Sequence, residues 1–217
     1  MIEHNNPPIQ PCQIMFISFE GIDGSGKTTQ LHRLAARLRD NELEVVSTRE
    51  PGGTRLAEAI RGLLLDGSDA LDARAELLLF GAARAAHVAQ IIRPALEANL
   101  WVLSDRFADS SLAYQGAGLG LDEEFVRSMN RFATGNLAPR QTFFLDVSPE
   151  VGLARREGSS EDRIEARGVE FLAEVRQAYL EIAAREAERF IVVNGAASPD
   201  EIEAQVWEHV APFLVSG

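Results

Sequence analysis

Five short apolar runs, at residues 14–20, 43–48, 100–104, 142–147 and 190–193, are rich in β-branched and aromatic side chains and read as strands. Between them the apolar positions return at helical spacing over 28–40, 54–65, 72–99, 122–134, 150–155, 165–188 and 199–213. The first helix shows the logic: Leu31, Leu34, Ala35 and Leu38 fall at i, i+3, i+4 and i+7, while Arg33, Arg37 and Arg39 take the outer positions. The strand runs are apolar without alternation, as expected of strands covered by helices on both faces. Strands alternating with helices predict βαβ units, hence an α/β fold of three αβα layers around a five-stranded parallel sheet. In such sheets ligands bind beyond the carboxyl ends of the strands. Residues 20–28, Arg49, Asp105, Arg106 and Asp146 stand at those ends. Without an internal repeat or a linker-like break, 14–217 reads as one domain. The polar, proline-rich stretch 1–13 reads as a disordered tail.

The segment after the first strand changes the picture from fold to chemistry. Gly21-Ile22-Asp23-Gly24-Ser25-Gly26-Lys27-Thr28 fits the G-x-x-x-x-G-K-[ST] phosphate-binding loop and sits between a strand and a helix, the context that gives the motif its meaning. Its glycines allow the backbone close to phosphate oxygens, and its N–H groups and helix N-terminus aim at one anion. Lys27 is then placed for the β- and γ-phosphates, and the Thr28 hydroxyl for Mg²⁺. The chain has a single lysine, and it is this one; every other Lys-or-Arg position is Arg. Lysine is a compact, hydrated point charge, whereas the broad arginine fork does not fit the same cradle.

Charge and cysteine content narrow the class further. A net charge of −12 argues against nucleic acid as the main partner. The lone cysteine, Cys12, excludes an intramolecular disulfide and suits a reducing, cytoplasmic setting. The apolar stretch 76–92 is interrupted by Arg84 and His87, so a membrane span is not expected. The four histidines show no ligand spacing. With one lysine, the chain has no Asn-Lys-x-Asp guanine-reading motif, which argues against the usual GTPase. Arg49, Arg84, Arg106, Arg155, Arg156 and Arg163 fall near strand ends or on segments able to fold over them. Such a set suits phosphoryl transfer between two anionic partners, where alignment and charge neutralisation supply nearly all the catalysis. The competing classes are another nucleotide kinase on the same scaffold, a nucleotide-binding module without turnover, and a nucleic-acid ATPase.

Several longer motifs then become specific. Phe19-Glu20-Gly21 through Thr29, Thr48-Arg49-Glu50-Pro51-Gly52-Gly53-Thr54, Leu79-Phe80-Gly81-Ala82-Ala83-Arg84, Asp105-Arg106-Phe107 through Gly116, Leu145-Asp146-Val147-Ser148-Pro149-Glu150 and Asp162-Arg163-Ile164-Glu165 resemble the thymidylate kinases. The resemblance runs from about Met15 to the last helix. It implies the P-loop nucleoside-monophosphate-kinase fold, a lid around 155–167, homodimers formed through helices beside the sheet, and Mg²⁺-dependent transfer from ATP to dTMP. On the ATP side it implies Gly21, Ile22, Asp23, Gly24, Ser25, Gly26, Lys27, Thr28 and Thr29, with Arg155. On the dTMP side it implies Asp23, Arg49, Pro51, Phe80, Arg84, Arg106, Ser110, Ser111, Tyr114 and Gln115. In the family the carboxylate matching Asp23 meets the acceptor 3′-hydroxyl or the metal, and the arginine matching Arg106 holds the acceptor phosphate. Phe80 would stack under thymine, Arg84 would donate to its O4, and Tyr114 would leave little room for a 2′-hydroxyl. Asp105 is expected to orient the Mg²⁺ shell. Some relatives carry Arg after the loop aspartate. Here Gly24 holds that place, so Arg163 or Arg156 is expected to reach the transferring phosphate.

Overall fold

The computed structural model describes residues 15–65, 71–156 and 163–215. The proposed tail 1–13, with Cys12, and residues 157–162 of the proposed lid lie outside the described residues. The strands are β1 (Phe16–Glu20), β2 (Val45–Arg49), β3 (Trp101–Asp105), β4 (Gln141–Asp146) and β5 (Phe190–Asn194). All pair in parallel, in the order β2-β3-β1-β4-β5, so the expected five-stranded parallel sheet is present. The change of direction in that order lies at β1, which feeds the phosphate loop. β1 pairs with β3 on one side and β4 on the other.

The two faces of β1 explain its unbroken apolarity. Ile17 and Phe19 point to one layer, where α1 (Lys27–Asp40) supplies Leu31, Leu34 and Leu38, and α9 (Pro199–Val210) supplies Ile202, Val206 and Val210. Phe16 points to the other layer, where Val88, Ile92 and Ala95 cover it. Ser18, on that second face, is buried and pairs with the Thr142 hydroxyl at 2.8 Å, so its polarity is satisfied inside the sheet. α8 (Gly168–Arg185) packs Phe171, Val175, Tyr179 and Ile182 onto Phe144 and Phe190. Burying each large aromatic or leucine contributes about 2 kcal/mol, so this two-sided cover rather than strand propensity holds the central strands.

Between these come α2 (Arg55–Leu65), α3 (Ala73–His87), α4 (Arg93–Glu97), α5 (Ala108–Ser111), α6 (Glu123–Thr134), α7 (Pro149–Ala154) and the terminal α10 (Pro212–Val215). The helix expected over 72–99 is present but interrupted. A π turn at Val88–Ile92 separates α3 from α4. Pro94 has no N–H for the preceding turn and would crowd its carbonyl, and a widened turn relieves both. The path Ala73–Glu97 is long and apolar enough to cross a membrane, yet it buries Glu76, Arg84 and His87 inside the molecule. Likewise Pro212 separates α10 from the helix expected over 199–213. Residues Leu112–Gly118 form a π-helical segment that the sequence reading did not anticipate. Leu112 through Gly116 are all buried, so no polar stripe marks a helical period, and Gly116 and Gly118 oppose helix by propensity.

Candidate active site

The carboxyl ends of β1, β2 and β3 open onto a cleft of about 1070 Å³ lined by Asp23 through His32, Arg49, Glu50, Asp105, Arg106 and Arg155. A smaller cavity of about 80 Å³ adjoins it, lined by Pro51, Leu65, Phe80, Ser110, Tyr114, Gln115 and Ile164. Asp23, Glu50, Arg61 and Arg106 border both. The geometry is therefore two compartments meeting at two carboxylates and two guanidinium groups, of which Arg106 and Asp23 are joined directly.

The phosphate loop is built for a guest. α6, α7 and α9 have N-caps with side-chain acceptors, from Asp122, Ser148 and Ser198. α1 is capped by Gly26 in the left-handed region, φ 97°, with no side-chain cap, so its first N–H groups face the cleft. The Ser25 hydroxyl is buried and has no partner among the described residues. Lys27 is buried, donating to the Ile22 carbonyl at 2.9 Å with Asp23 3.6 Å away. Burial and the Arg106 charge press its pKa down, against the pull of Asp23, Asp105 and Glu20. Gly24 has φ 78°, and a Cβ there would sit 2.1 Å from the Gly152 carbonyl oxygen of α7. The loop and α7 touch backbone to backbone, so a side chain at 24 does not fit this packing and no loop arginine is available.

Arg106 is set by strain held in place on several sides. It is a non-glycine residue at φ 71°, a conformation that costs about 1 kcal/mol or more and persists only where neighbours enforce it. Its N–H donates to Phe19 O at 2.9 Å and its carbonyl accepts from the Ser104 hydroxyl at 2.7 Å. The next N–H, of Phe107, donates to Glu20 Oε1 at 2.7 Å. The guanidinium then donates to Asp23 at 2.8 Å, Gly21 O at 3.0 Å, Tyr114 at 3.3 Å and Ser110 at 3.4 Å. Burial pushes the Asp23 carboxyl up, but the charges of Arg106 and Lys27 outweigh it and hold the acid well below the usual carboxylate range. Asp23 is therefore an anion at any ordinary pH.

Glu20, behind this turn, is fully buried and accepts from Phe107 N–H, from Ser110 at 2.6 Å and from Tyr179 at 2.8 Å. Burial and the negative charge of Asp109 push its pKa to about 7, against the Ser110 and Tyr179 hydrogen bonds and the Arg106 charge. In the unfolded chain the carboxyl ionises near 4.5. Between these values the folded protein keeps a proton that the unfolded chain has lost, so Glu20 lowers stability as pH rises through that window. Glu20→Gln is expected to remove this slope. In thermal melts from pH 5 to pH 8 its melting temperature should rise relative to the parent protein as pH increases. A constant difference would show that another group titrates.

The remaining expected site residues divide. Thr28 donates to Asp105 Oδ2 at 2.5 Å, bringing the two expected Mg²⁺-associated residues together. Arg49 lies at the end of β2, paired with Glu58 at 3.2 Å. Arg155 donates to the Gly24 carbonyl at 3.4 Å and to Gly195 O at 2.8 Å. Arg84 is only 1 % exposed and does not line the smaller cavity. It donates to Glu50 at 2.8 Å, Ser111 at 3.0 Å, Asn130 at 2.6 Å and Phe107 O at 3.1 Å. Ser111, equally buried, stands with it behind the pocket wall, whereas Phe80 reaches the cavity. Arg163 donates to Leu64 O at 3.0 Å and Glu76 at 2.7 Å, away from the phosphate loop. Arg156 instead contributes its charge to holding Asp23 ionised. The sequence reading missed Arg61, which borders both compartments and donates to the Pro51 carbonyl at 3.0 Å. Its only sequence signal is a cation three residues beyond Glu58 on one helix face.

A family model described as "Thymidylate kinase" matches residues 19–206. The chain belongs to the thymidylate kinase family. It is 49 % identical over 201 residues to the thymidylate kinase of Symbiobacterium thermophilum, covering 92 % of this chain and 94 % of that relative. It is 50 % identical over 196 residues to the thymidylate kinase of Bifidobacterium longum, covering 88 % of this chain and 95 % of the relative. A crystal structure of thymidylate kinase from Ehrlichia chaffeensis superposes with a TM-score of 0.74 at 38 % identity, covering 90 % of this chain and 98 % of the other. The phosphate loop, Arg49, Phe80, Arg84, Arg106 and the segment through Gln115 all fall within the matched span of this thymidylate kinase family member.

Proposed function

We propose that the protein transfers the γ-phosphoryl group of ATP to dTMP, giving ADP and dTDP, in the cytoplasm. The observation that carries this is the junction of two compartments at Asp23 and Arg106. The larger cleft, with the phosphate loop, Lys27 and Arg155, takes ATP. The smaller cavity, with Pro51, Phe80, Ser110, Tyr114 and Gln115, takes the thymidine, and its acceptor phosphate meets the donor at Arg106 with Arg49 assisting. Arg84 and Ser111 support the wall of that pocket in this arrangement. The Gln115 carbonyl oxygen is buried without a partner among the described residues, which suits the imide N–H of thymine.

Thr28 and Asp105 supply hard oxygen donors side by side, and among the described residues no cluster of three metal-ligating side chains exists. That fits Mg²⁺, which keeps waters and takes few protein ligands beside substrate phosphates. When bound it neutralises charge on the donor phosphates. The acceptor phosphate oxygen is ionised at neutral pH, so it forms the new O–P bond without a general base, and ADP departs with the electron pair of the broken bond. Arg106 aligns the acceptor, Lys27 meets the donor phosphates, and Asp23 holds Arg106 in place and faces the sugar hydroxyl. Of the two arginines expected at the transferring phosphate, Arg156 is favoured by its influence on Asp23. A homodimer is supported by the exposed Leu78, Phe125 and Phe132 on α3 and α6, and a small-molecule rather than nucleic-acid substrate by the net charge of −12.

Purified protein with MgATP should release ADP with dTMP at far higher kcat/KM than with dCMP, dAMP or UMP. Preference for one of the others would overturn the acceptor assignment.

A further inference from the structure

Glu76, in the first turn of α3, is an ionisable group to which phosphoryl transfer gives no role, yet it is 0 % exposed and makes four hydrogen bonds. Its Oε1 accepts from Gln115 Nε2 at 2.9 Å and from Arg167 Nη1 at 3.2 Å. Its Oε2 accepts from Arg163 Nη2 at 2.7 Å and from Arg167 Nη2 at 2.5 Å. Burial raises its pKa, but the hydrogen bonds from Arg167 and Gln115, the Arg167 charge and the Arg163 hydrogen bond outweigh this and leave it below the usual value. It is therefore a carboxylate at neutral pH, and a carboxylate can only accept.

That restriction decides which way Gln115 faces. The Gln115 atom 2.9 Å from Glu76 is the amide nitrogen; the flipped side chain would set two oxygens against each other at that distance inside the protein. The Gln115 carbonyl oxygen is consequently the free end, buried and without a partner among the described residues, on a residue that lines the smaller cavity. A buried acceptor left unpaired costs about 1–3 kcal/mol, so the cavity favours a guest that brings a donor. An imide base such as thymine has a ring N–H for it. Cytosine offers a ring-nitrogen lone pair in the corresponding place, which meets the carbonyl as acceptor against acceptor.

We infer that Glu76 is a specificity-determining positioning residue, which locks the Gln115 amide with its carbonyl toward the base and so makes the pocket admit an imide pyrimidine and reject an aminopyrimidine. This rests on assigning the smaller cavity to the nucleoside. Arg163 and Arg167 make the buried carboxylate tolerable, since one such charge left unpaired is strongly destabilising. They also tie 163–167 to the same two oxygens that set the amide. A neutral acceptor would orient Gln115 less strictly, because an amide at position 76 can donate as well as accept.

The test is steady-state kinetics of the whole protein with dTMP and dCMP, using Glu76→Gln, Glu76→Asp, Gln115→Met and the Glu76→Gln/Gln115→Met pair. Glu76→Gln lets Gln115 adopt both orientations. The dTMP-to-dCMP ratio of kcat/KM should fall at least tenfold, mainly through the acceptor KM, with the KM for ATP unchanged. Glu76→Asp keeps the charge between the arginines but withdraws it from Gln115, so it should relax the ratio even where the Gln variant does not fold. Gln115→Met should raise the dTMP KM, and adding Glu76→Gln to it should change the ratio no further. If Gln115→Met raises that KM while both Glu76 variants keep the parental ratio, the role of Glu76 is overturned and the pocket assignment stands. A loss of discrimination that persists undiminished in the Gln115→Met background also overturns it. If Gln115→Met leaves the dTMP KM unchanged, the pocket assignment itself falls.

Discussion

Replacing Arg106 with Leu is expected to lower kcat/KM for dTMP at least about a thousandfold, about 4 kcal/mol of transition-state stabilisation. Arginines that hold and neutralise the reacting phosphates carry effects of about 10³ or more; Arg106 and Arg61 both border the two compartments, and Arg106 donates to Asp23 where they meet. Its backbone is strained at φ 71° and pinned by Phe19, Ser104 and, one residue on, Glu20. The fork is thus aimed before substrate arrives, and its position costs little at the moment of reaction. Arg106→Lys should recover only a small part of the loss, because an ammonium cannot reproduce the planar two-point grip on phosphate. Calorimetric titration with a non-hydrolysable ATP analogue should show donor binding within a few fold of the parent. A variant with parental kcat/KM for dTMP would remove Arg106 from the acceptor site.

The fold was largely legible because the central strands are apolar on both faces and the surface helices keep one apolar stripe. The sheet edges were less sharp. β2 and β5 are only partly buried and blend into polar neighbours. The segment 109–116 escaped the periodicity argument because burial on every side erases the stripe by which a helix is recognised. Site residues followed the same division. The phosphate loop is contiguous, so spacing alone revealed it, and Arg106 was marked by following an apolar strand. Phe80 and Arg84, four apart on one helix, were expected to meet the base together. The structure puts Phe80 at the cavity and Arg84 behind it among Glu50, Ser111 and Asn130. Helical spacing gives the face of a residue but not its depth. Glu76 and Arg61 went unnoticed because their significance lies in partners distant in sequence, Gln115 and Arg167 for one and the Pro51 carbonyl for the other.

Replacing Lys27 with Met is expected to reduce kcat at least about a thousandfold while dTMP affinity stays within a few fold. The lysine lies on the donor side and does not line the smaller cavity, and electrostatic groups aimed at developing charge in a water-poor site each contribute about 10²–10³ or more. Lys27→Arg should fail almost as badly, since the loop is packed against α7 with Gly24 and Gly152 in backbone contact and has no slack for a broader group. The composition of the chain supplies an independent check. Lys27 is the one lysine, so an amine-directed reagent can modify a single side chain. Its pKa is depressed by burial and by Arg106, which increases the neutral, reactive fraction at a given pH. Saturating MgATP should therefore slow both labelling and inactivation, in parallel, and dTMP alone should protect far less. Equal protection by dTMP alone would place the lysine on the acceptor rather than the donor.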